Sequence, residues 1–149
     1  MTPTISPAAV VVAVVLPVLL VAHTVADHWV QTDHQAVTKG RPGWPGRRAC
    51  AAHCLTYTAT TAIAVGLAWW VLALPISPAG FAAGQLVSAL THYWADRRAT
   101  LAWLCRLLGK SGYYARPEGA YALDQAFHYG WLLAAALLTA LVAAPGVSS

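Results

Sequence analysis

The stretch that decides the fold reads His23-Thr-Val-Ala-Asp27-His-Trp-Val-Gln31 and closes a long apolar run. Its polar residues His23, Asp27 and Gln31 recur every four positions, and residues four apart are neighbours on a helix surface. An imidazole, a carboxylate and an amide would therefore line one stripe of an otherwise apolar helix. Because ionisable groups are costly in lipid, they usually face a protein interior or a watery cavity. The sequence thus predicts a helix whose polar stripe meets other helices.

The composition indicates a membrane protein of one domain. Of 149 residues, 58% are hydrophobic and only 9% are charged, whereas a soluble domain has about 25% charged residues. The net charge of +4 is confined to loops beside apolar segments, so anionic lipid head groups are the expected partner and nucleic acid is not. Three cysteines indicate no disulfide framework. The oligomeric state is left open.

We predict an all-α, integral membrane four-helix bundle with up-down topology, a single transmembrane domain over residues 1–149. A span needs roughly 20 apolar residues, and the four predicted spans cover about 8–30, 49–74, 79–95 and 121–144. A short amphipathic helix at about 97–108 is predicted to lie at the membrane interface before the last span. Residues 31–46 are predicted to form a loop or a frayed helix end, since the Gly- and Pro-rich residues 39–46 have a turn chemistry that a helix would not tolerate.

The third predicted span contains small residues at the spacing that lets membrane helices approach closely. Gly80, Gly84 and Ser88 follow a small-x3-small pattern. Gly84, Ser88 and His92 are predicted to lie on roughly one side of this helix. The third span should therefore pack tightly against a neighbour and carry His92 on an inward side.

The basic residues predict the orientation. All of them lie in the first loop or the third, namely Lys39, Arg41, Arg47 and Arg48 in the first, and Arg97, Arg98, Arg106, Lys110 and Arg116 in the third. An excess of Lys and Arg marks cytoplasmic loops. Loops one and three are therefore predicted to be cytoplasmic, with both termini outside, in a multi-pass protein of the inner (cytoplasmic) membrane.

The same topology gathers the titratable groups at one membrane face. Histidines and aspartates lie at one end of each predicted span: at the end of span one, the start of span two, the end of span three and the start of span four. In that order they are His23 and Asp27, His53, His92 and Asp96, and Asp124 and His128. An up-down chain of four helices puts all four positions on the cytoplasmic side. The charge count did not impose this agreement, so it supports a shared site independently.

Imidazoles and carboxylates on facing helices are the side chains from which bundles build metal sites. We predict that a divalent metal, zinc or manganese or iron, is held by Asp27, His92, Asp96, Asp124 and His128, and that His23 or His53 moves the proton. No organic cofactor is predicted. At a membrane face, a phosphorylated or lipid substrate is expected, with its phosphate held by Arg97 and Arg98. The predicted function is a metal-dependent membrane hydrolase.

The alternative is a non-enzymatic membrane module: a structural Asp–His network, a scaffold for a partner, or a proton or ion pathway. A structural network would be sealed and fully paired, whereas a hydrolase needs an open cluster. Cys50 and Cys54 flank His53 at helical spacing. They are predicted to pack as small apolar side chains, and zinc binding by their thiolates is the less favoured alternative. His28 and His34 are assigned to a loop or interface.

The ordered set of motifs resembles a family of bacterial and phage membrane proteins called domain of unknown function 3307. The resemblance rests on His23-x3-Asp27-x3-Gln31-x-Asp33, Lys39-Gly40, His53, Thr91-His92-x3-Asp96 and Asp124-Gln125-x2-His128. It covers about residues 19–132 and implies a small multi-span membrane protein without an established activity. Ser88-x3-His92-x3-Asp96 is more distantly similar to membrane-bound metal-dependent hydrolases, whose first-helix His-Arg and Thr-His-Ser signature is absent here.

Overall fold

The computed structural model describes residues 5–142 and is helical, without strands, over that range. The four long helices are α1 (Pro7–Val25), α3 (Gly43–Val71), α4 (Pro78–Asp96) and α7 (Pro117–Leu141). The three short helices are α2 (Asp33–Thr38), α5 (Ala99–Leu107) and α6 (Ser111–Tyr114). One wider turn of π-helix, Ala26–Val30, extends α1. The all-α prediction is confirmed.

The four long helices form a bundle in which each packs against two others. Helix α1 contacts α3 and α7, and α4 contacts the same two helices from the other side. The end of α1 meets the start of α3, since Asp27 lies beside His53. The end of α4 likewise meets the start of α7, since Asp96 lies beside Asp124. Consecutive long helices therefore run in opposite directions.

The interior of the bundle divides along its length into an apolar half and a polar half. The apolar half consists of side chains from α1, α3, α7 and the α3–α4 connection: Val11, Val15, Leu19, Val65, Leu74, Ile76, Leu132, Ala135 and Ala136. The polar half holds the buried histidines at positions 23, 53, 92 and 128. Hydrophobic packing at one end thus supports a polar cluster at the other.

The outer surface carries large apolar side chains. Leu55 is 72% exposed, Ile63 70% and Trp70 81%, and extensive exposed apolar surface marks a contact with lipid or protein. Within residues 5–142, the two helical segments long and apolar enough to cross a membrane, by length and composition, are Pro7–Val30 and Gly43–Val71. This finding supports a membrane location.

The structure corrects the predicted boundaries on the α1–α3 connection. The prediction that a helix would not tolerate residues 39–46 is wrong for the last four of them, because α3 already begins at Gly43. Pro45 fits there because the first turn of a helix does not need its missing N–H group. The connection also contains α2, whose start is fixed by a reciprocal capping pair of Thr32 and Gln35.

The other predicted spans are close to the observed helices. The second predicted span, 49–74, corresponds to a helix that begins and ends earlier, at Gly43 and Val71. The last, 121–144, begins earlier, at Pro117, and its predicted end lies outside the described residues. The predicted interfacial segment 97–108 corresponds to α5, Ala99–Leu107.

Helices α4 and α7 approach each other through the predicted small-residue seam. A Cβ atom added at Gly84 would lie 2.1 Å from Thr139 Oγ1 and 2.8 Å from the Ala135 carbonyl oxygen. One added at Gly80 would lie 2.6 Å from the Thr139 carbonyl oxygen. The prediction of a close helix approach is confirmed, and this approach sets how near His92 comes to the start of α7.

Replacing Gly84 with alanine should lower thermal stability, because the added methyl group has no room between α4 and α7. Overpacking of this kind costs about 1–3 kcal/mol. The matched control is Gly66→Ala in α3, where no atom lies within 4 Å of the added Cβ and alanine favours the helix by about 0.5–1 kcal/mol. Circular-dichroism melting in detergent would measure both; equal melting temperatures would contradict the close approach.

Candidate metal centre

Seven titratable side chains from the four long helices and the π-turn meet at the polar end of the bundle. They are the seven identified from the sequence: His23, Asp27, His53, His92, Asp96, Asp124 and His128. The four histidines and Asp96 are buried, whereas Asp27 and Asp124 are partly exposed. The cluster therefore has a buried imidazole side and a more open carboxylate side.

The tightest part of the cluster consists of two imidazole nitrogens that both lie close to the same two carboxylate oxygens. The Nε2 atoms of His53 and His92 are 3.0 Å apart. Asp27 Oδ1 lies 3.2 Å from the first and 3.5 Å from the second, and Asp96 Oδ2 lies 3.2 Å from each. Ligand atoms around a tetrahedral zinc ion, with bonds of 2.0–2.1 Å, are about 3.3 Å apart. The five distances that involve an imidazole nitrogen thus resemble the spacing of ligands around one ion.

This arrangement brings His53 among the candidate ligands. The sequence prediction gave His53 a possible proton-transfer role, as an alternative to His23. Its Nε2 atom instead faces the carboxylates of Asp27 and Asp96 from two other helices. His23, the other candidate for proton transfer, lies 3.4 Å from Gln125 Oε1 and 3.7 Å from Asp27 Oδ2.

Four buried atoms of the cluster have no hydrogen-bond partner within the described part of the chain. They are Asp27 Oδ1, His23 Nδ1, His92 Nδ1 and His128 Nε2. A buried polar group without a partner costs about 1–3 kcal/mol. A bound cation would coordinate the lone pairs of Asp27 and His128, so the residues present fit a metal ion.

Lys39 is a member of the site that sequence reasoning missed. Its side chain is only 9% exposed, and its ammonium group donates to Asp96 Oδ2 at 2.8 Å. In the amide orientation that satisfies its neighbours, Gln31 accepts from the same ammonium group at 2.7 Å. Lys39 was read as a topology signal because lysines in loops are usually solvated. The signal that could have found it was the Lys39-Gly40 pair among the motifs shared with the family, and in the structure Gly40 leaves room for Arg98, since a Cβ there would lie 2.6 Å from Arg98 Cδ.

The two arginines predicted to hold a phosphate group have different positions. The Arg97 guanidinium donates to the backbone carbonyl oxygens of Lys39 and Arg41 and so holds the loop that carries Lys39. Arg98 lines the cavity beside the cluster and donates to the Ala36 carbonyl oxygen at 3.2 Å. Of the two, Arg98 is therefore the one that lines the cavity.

A cavity of about 320 Å³ opens beside the carboxylates, between the π-turn after α1 and the start of α7. Its polar lining includes Asp27, Gln31, Lys39, Asp96, Arg98 and Asp124. Tyr114 lines one side of the cavity, and its hydroxyl group donates to the Arg98 carbonyl oxygen at 3.4 Å. Burial raises the pKa of this hydroxyl group. The cluster is therefore open on one side, as a hydrolase requires, and not sealed.

The buried side of the cluster is held by further hydrogen bonds and stacking. The Tyr57 ring stacks on the His92 ring with centroids 3.7 Å apart, and its hydroxyl group lies 2.7 Å from Ser88 Oγ. The thiols of Cys50 and Cys54 donate to carbonyl oxygens of α4 at 3.7 and 3.1 Å. Such contacts orient metal-binding residues, and they leave the cysteines engaged with backbone.

Replacing Lys39 with methionine should destabilise the fold strongly, because it leaves Asp96 buried without its ammonium partner. Breaking one side of a buried ion pair costs about 3–5 kcal/mol. Lys110→Met, at an exposed position, is the matched control and should change stability little. Thermal unfolding of metal-free protein in detergent would measure both variants. Similar melting temperatures would show that the Lys39–Asp96 pair contributes little.

Comparison with curated proteins finds no match for this chain, and comparison with solved structures finds none either. A family model does match. It is described as "Protein of unknown function (DUF3307)", and it matches residues 15–147, nearly the whole chain and all seven titratable residues of the cluster. The chain therefore belongs to the DUF3307 family of proteins of unknown function.

Proposed function

We propose that this protein is a metal-dependent membrane hydrolase that acts on a phosphorylated lipid or a related phosphoester at the membrane surface. One observation carries the proposal. The imidazole nitrogens of His53 and His92 lie 3.0 Å apart, and each lies 3.2–3.5 Å from one carboxylate oxygen of Asp27 and one of Asp96, beside an open polar cavity.

The charges of the cluster favour a divalent cation. Asp27, Asp96 and Asp124 bring three carboxylates, and Lys39 brings one ammonium group. When the imidazoles are neutral, a divalent ion supplies the missing positive charge. Mixed imidazole and carboxylate ligands suit zinc, manganese or iron. Such an ion lowers the pKa of bound water to near 7 and thereby supplies hydroxide as a nucleophile.

The chain's own residues then have separate tasks. His23, placed by Gln125 and Asp27, is the group that accepts the proton of the attacking water. Arg98 and Lys39 line the cavity and hold the phosphate oxygens, since charged donors bind phosphate strongly. In the hydrolysis, the water oxygen forms a bond to phosphorus, the bond to the leaving oxygen breaks, and that oxygen takes up a proton.

An apolar groove beside the cavity supports a lipid substrate. The groove has a volume of about 410 Å³ and is lined by Leu20, Val21, Thr24, Val25, Trp29 and Tyr129. Thr24 precedes the cavity residue His28 by one turn, and Tyr129 follows the cavity residue Gln125 by one turn. Groove and cavity thus follow the same seam between α1 and α7. An acyl chain in the groove would direct its head group towards the metal-binding cluster.

We propose further that α1, α3, α4 and α7 all span the inner membrane, with the cluster near its cytoplasmic face. The exposed apolar side chains on these helices support this arrangement; on α4 and α7 they include Leu86, Leu90, Leu133, Leu137 and Leu141. The basic residues of the first and third connections support cytoplasmic loops by the positive-inside rule. Both termini would then lie outside.

A proton or ion pathway is the rival function. Two buried hydrogen-bonded pairs, Tyr57 with Ser88 and Thr61 with Gln85, continue from the cluster into the bundle. Beyond them, however, Val11, Val15, Val65 and Leu132 belong to the apolar core. A pathway needs polar groups or water along its whole length, and the apolar core provides neither. The core therefore argues against a pathway, which leaves the hydrolase as the preferred function.

Replacing His92 with alanine should remove the bound metal and lower hydrolysis at least 100-fold, because His92 contributes a central ligand atom. The purified protein would be analysed for metal by mass spectrometry and assayed with p-nitrophenyl phosphate and with phosphatidic acid vesicles. His34→Ala, at an exposed histidine, is the control and should retain metal and activity. Absence of metal from both the parent protein and the control would refute the proposed function.

The orientation predicts which loops react with a membrane-impermeant thiol reagent. Arg41→Cys in the first connection should be labelled only from the cytoplasmic side, and Ala73→Cys in the second only from the outside; both positions are exposed. The three native cysteines would be replaced beforehand. Labelling of the two positions from the same side would contradict the up-down arrangement across the membrane.

A further inference from the structure

We infer that the cluster binds two divalent cations and not one, with the Asp96 carboxylate shared between them. The first ion lies between Asp27, His53 and His92, and the second lies between Asp124 and His128. This inference rests on the proposed metal site and deepens it, since it also assigns the substrate class. It changes the sequence prediction, in which five of these residues held a single ion.

The candidate ligands form three overlapping groups; one consists of His23, His92 and His128, and the other two contain the carboxylates. One atom each of Asp27, His53 and His92 lie within 4.8 Å of one another, and one atom each of Asp96, Asp124 and His128 do the same. Asp96 belongs to the group with Asp124, yet its Oδ2 atom is 3.2 Å from both His53 and His92 of the group with Asp27. A carboxylate has two oxygens, so Asp96 is placed to bind an ion on each side.

His128 gives an independent indication of the second ion. Its side chain is only 3% exposed, and its Nε2 atom has no hydrogen-bond partner among residues 5–142. That atom lies 3.7 Å from Asp124 Oδ1, too far for a hydrogen bond. An ion between the two would coordinate both atoms. Asp124 also lines the cavity, so the second ion would be the one nearer to the opening.

Two bound ions would determine the charge of the substrate group that the site prefers. Two divalent cations together with Lys39 outweigh the three carboxylates, so the loaded site is positive and favours a dianionic group. Pairs of metal ions about 3.5–4 Å apart clamp the attacking and leaving oxygens in phosphatases and nucleases. A terminal phosphate monoester carries close to two negative charges at pH 7. The substrate class is therefore a phosphomonoester at the membrane surface.

The experiment counts ions in the full chain. Detergent-purified protein is stripped with a chelator, reloaded with Mn²⁺ alone and freed of excess metal. Manganese is then counted by mass spectrometry, and low-temperature paramagnetic resonance reports whether two ions are coupled. The wild type should hold two coupled Mn²⁺ ions. His128→Gln and His53→Gln should each retain one uncoupled ion, and the control His34→Gln should keep both.

A folding defect is separated from metal loss by circular dichroism and by Asp124→Asn, a milder change at a partly exposed position that should also leave one ion. One ion in the wild type, or two in His128→Gln and Asp124→Asn alike, overturns the inference. One ion with phosphoester hydrolysis intact overturns it and leaves the proposed hydrolase standing. Two coupled ions without hydrolysis of any phosphoester probe supports the pair and refutes the hydrolase, and no bound ion refutes both.

Discussion

The structure depends on one electrostatic constraint, the burial of a carboxylate inside an otherwise apolar helical bundle. Asp96 is 4% exposed, and an unpaired charge there would carry a desolvation cost of several kcal/mol. One oxygen of Asp96 faces the Lys39 ammonium group at 2.8 Å and the rings of His53 and His92 at 3.2 Å. Two other segments of the chain, the loop that carries Lys39 and helix α3, are thus tied to α4 by a single carboxylate.

The rest of the fold positions the groups that surround Asp96. Helix α4 comes close to α7 because glycines 80 and 84 leave room for the backbone and side chain around Thr139, and this approach brings Asp96 to Asp124. The loop that carries Lys39 is held by hydrogen bonds from Arg97, the residue after Asp96. At the other end, the apolar core packs the helices together, and Ser77 Oγ at the start of α4 donates to the Val142 carbonyl oxygen after α7. Packing at one end and ion pairing at the other therefore act on the same four helices.

The candidate site could be predicted in part because helical spacing is visible in a sequence. The motifs His23-x3-Asp27, His92-x3-Asp96 and Asp124-x3-His128 each place an imidazole and a carboxylate on one helix face. Pairings between helices are not visible in this way. The structure accordingly gave His53 a place facing two carboxylates from other helices, and it showed that Lys39 is buried although its neighbours in sequence read as a solvated loop.

The sequence by itself determined the all-α architecture, the long apolar helices and the inward stripe of titratable residues, because periodicity and composition are local properties. It also determined that these residues belong at one end of an up-down bundle, since chain direction alternates. Only the tertiary structure decided which atoms meet, that α3 begins at Gly43, and that the cluster opens into a cavity. Those features depend on side-chain volumes and distances between helices far apart in the chain, for which local spacing carries no information.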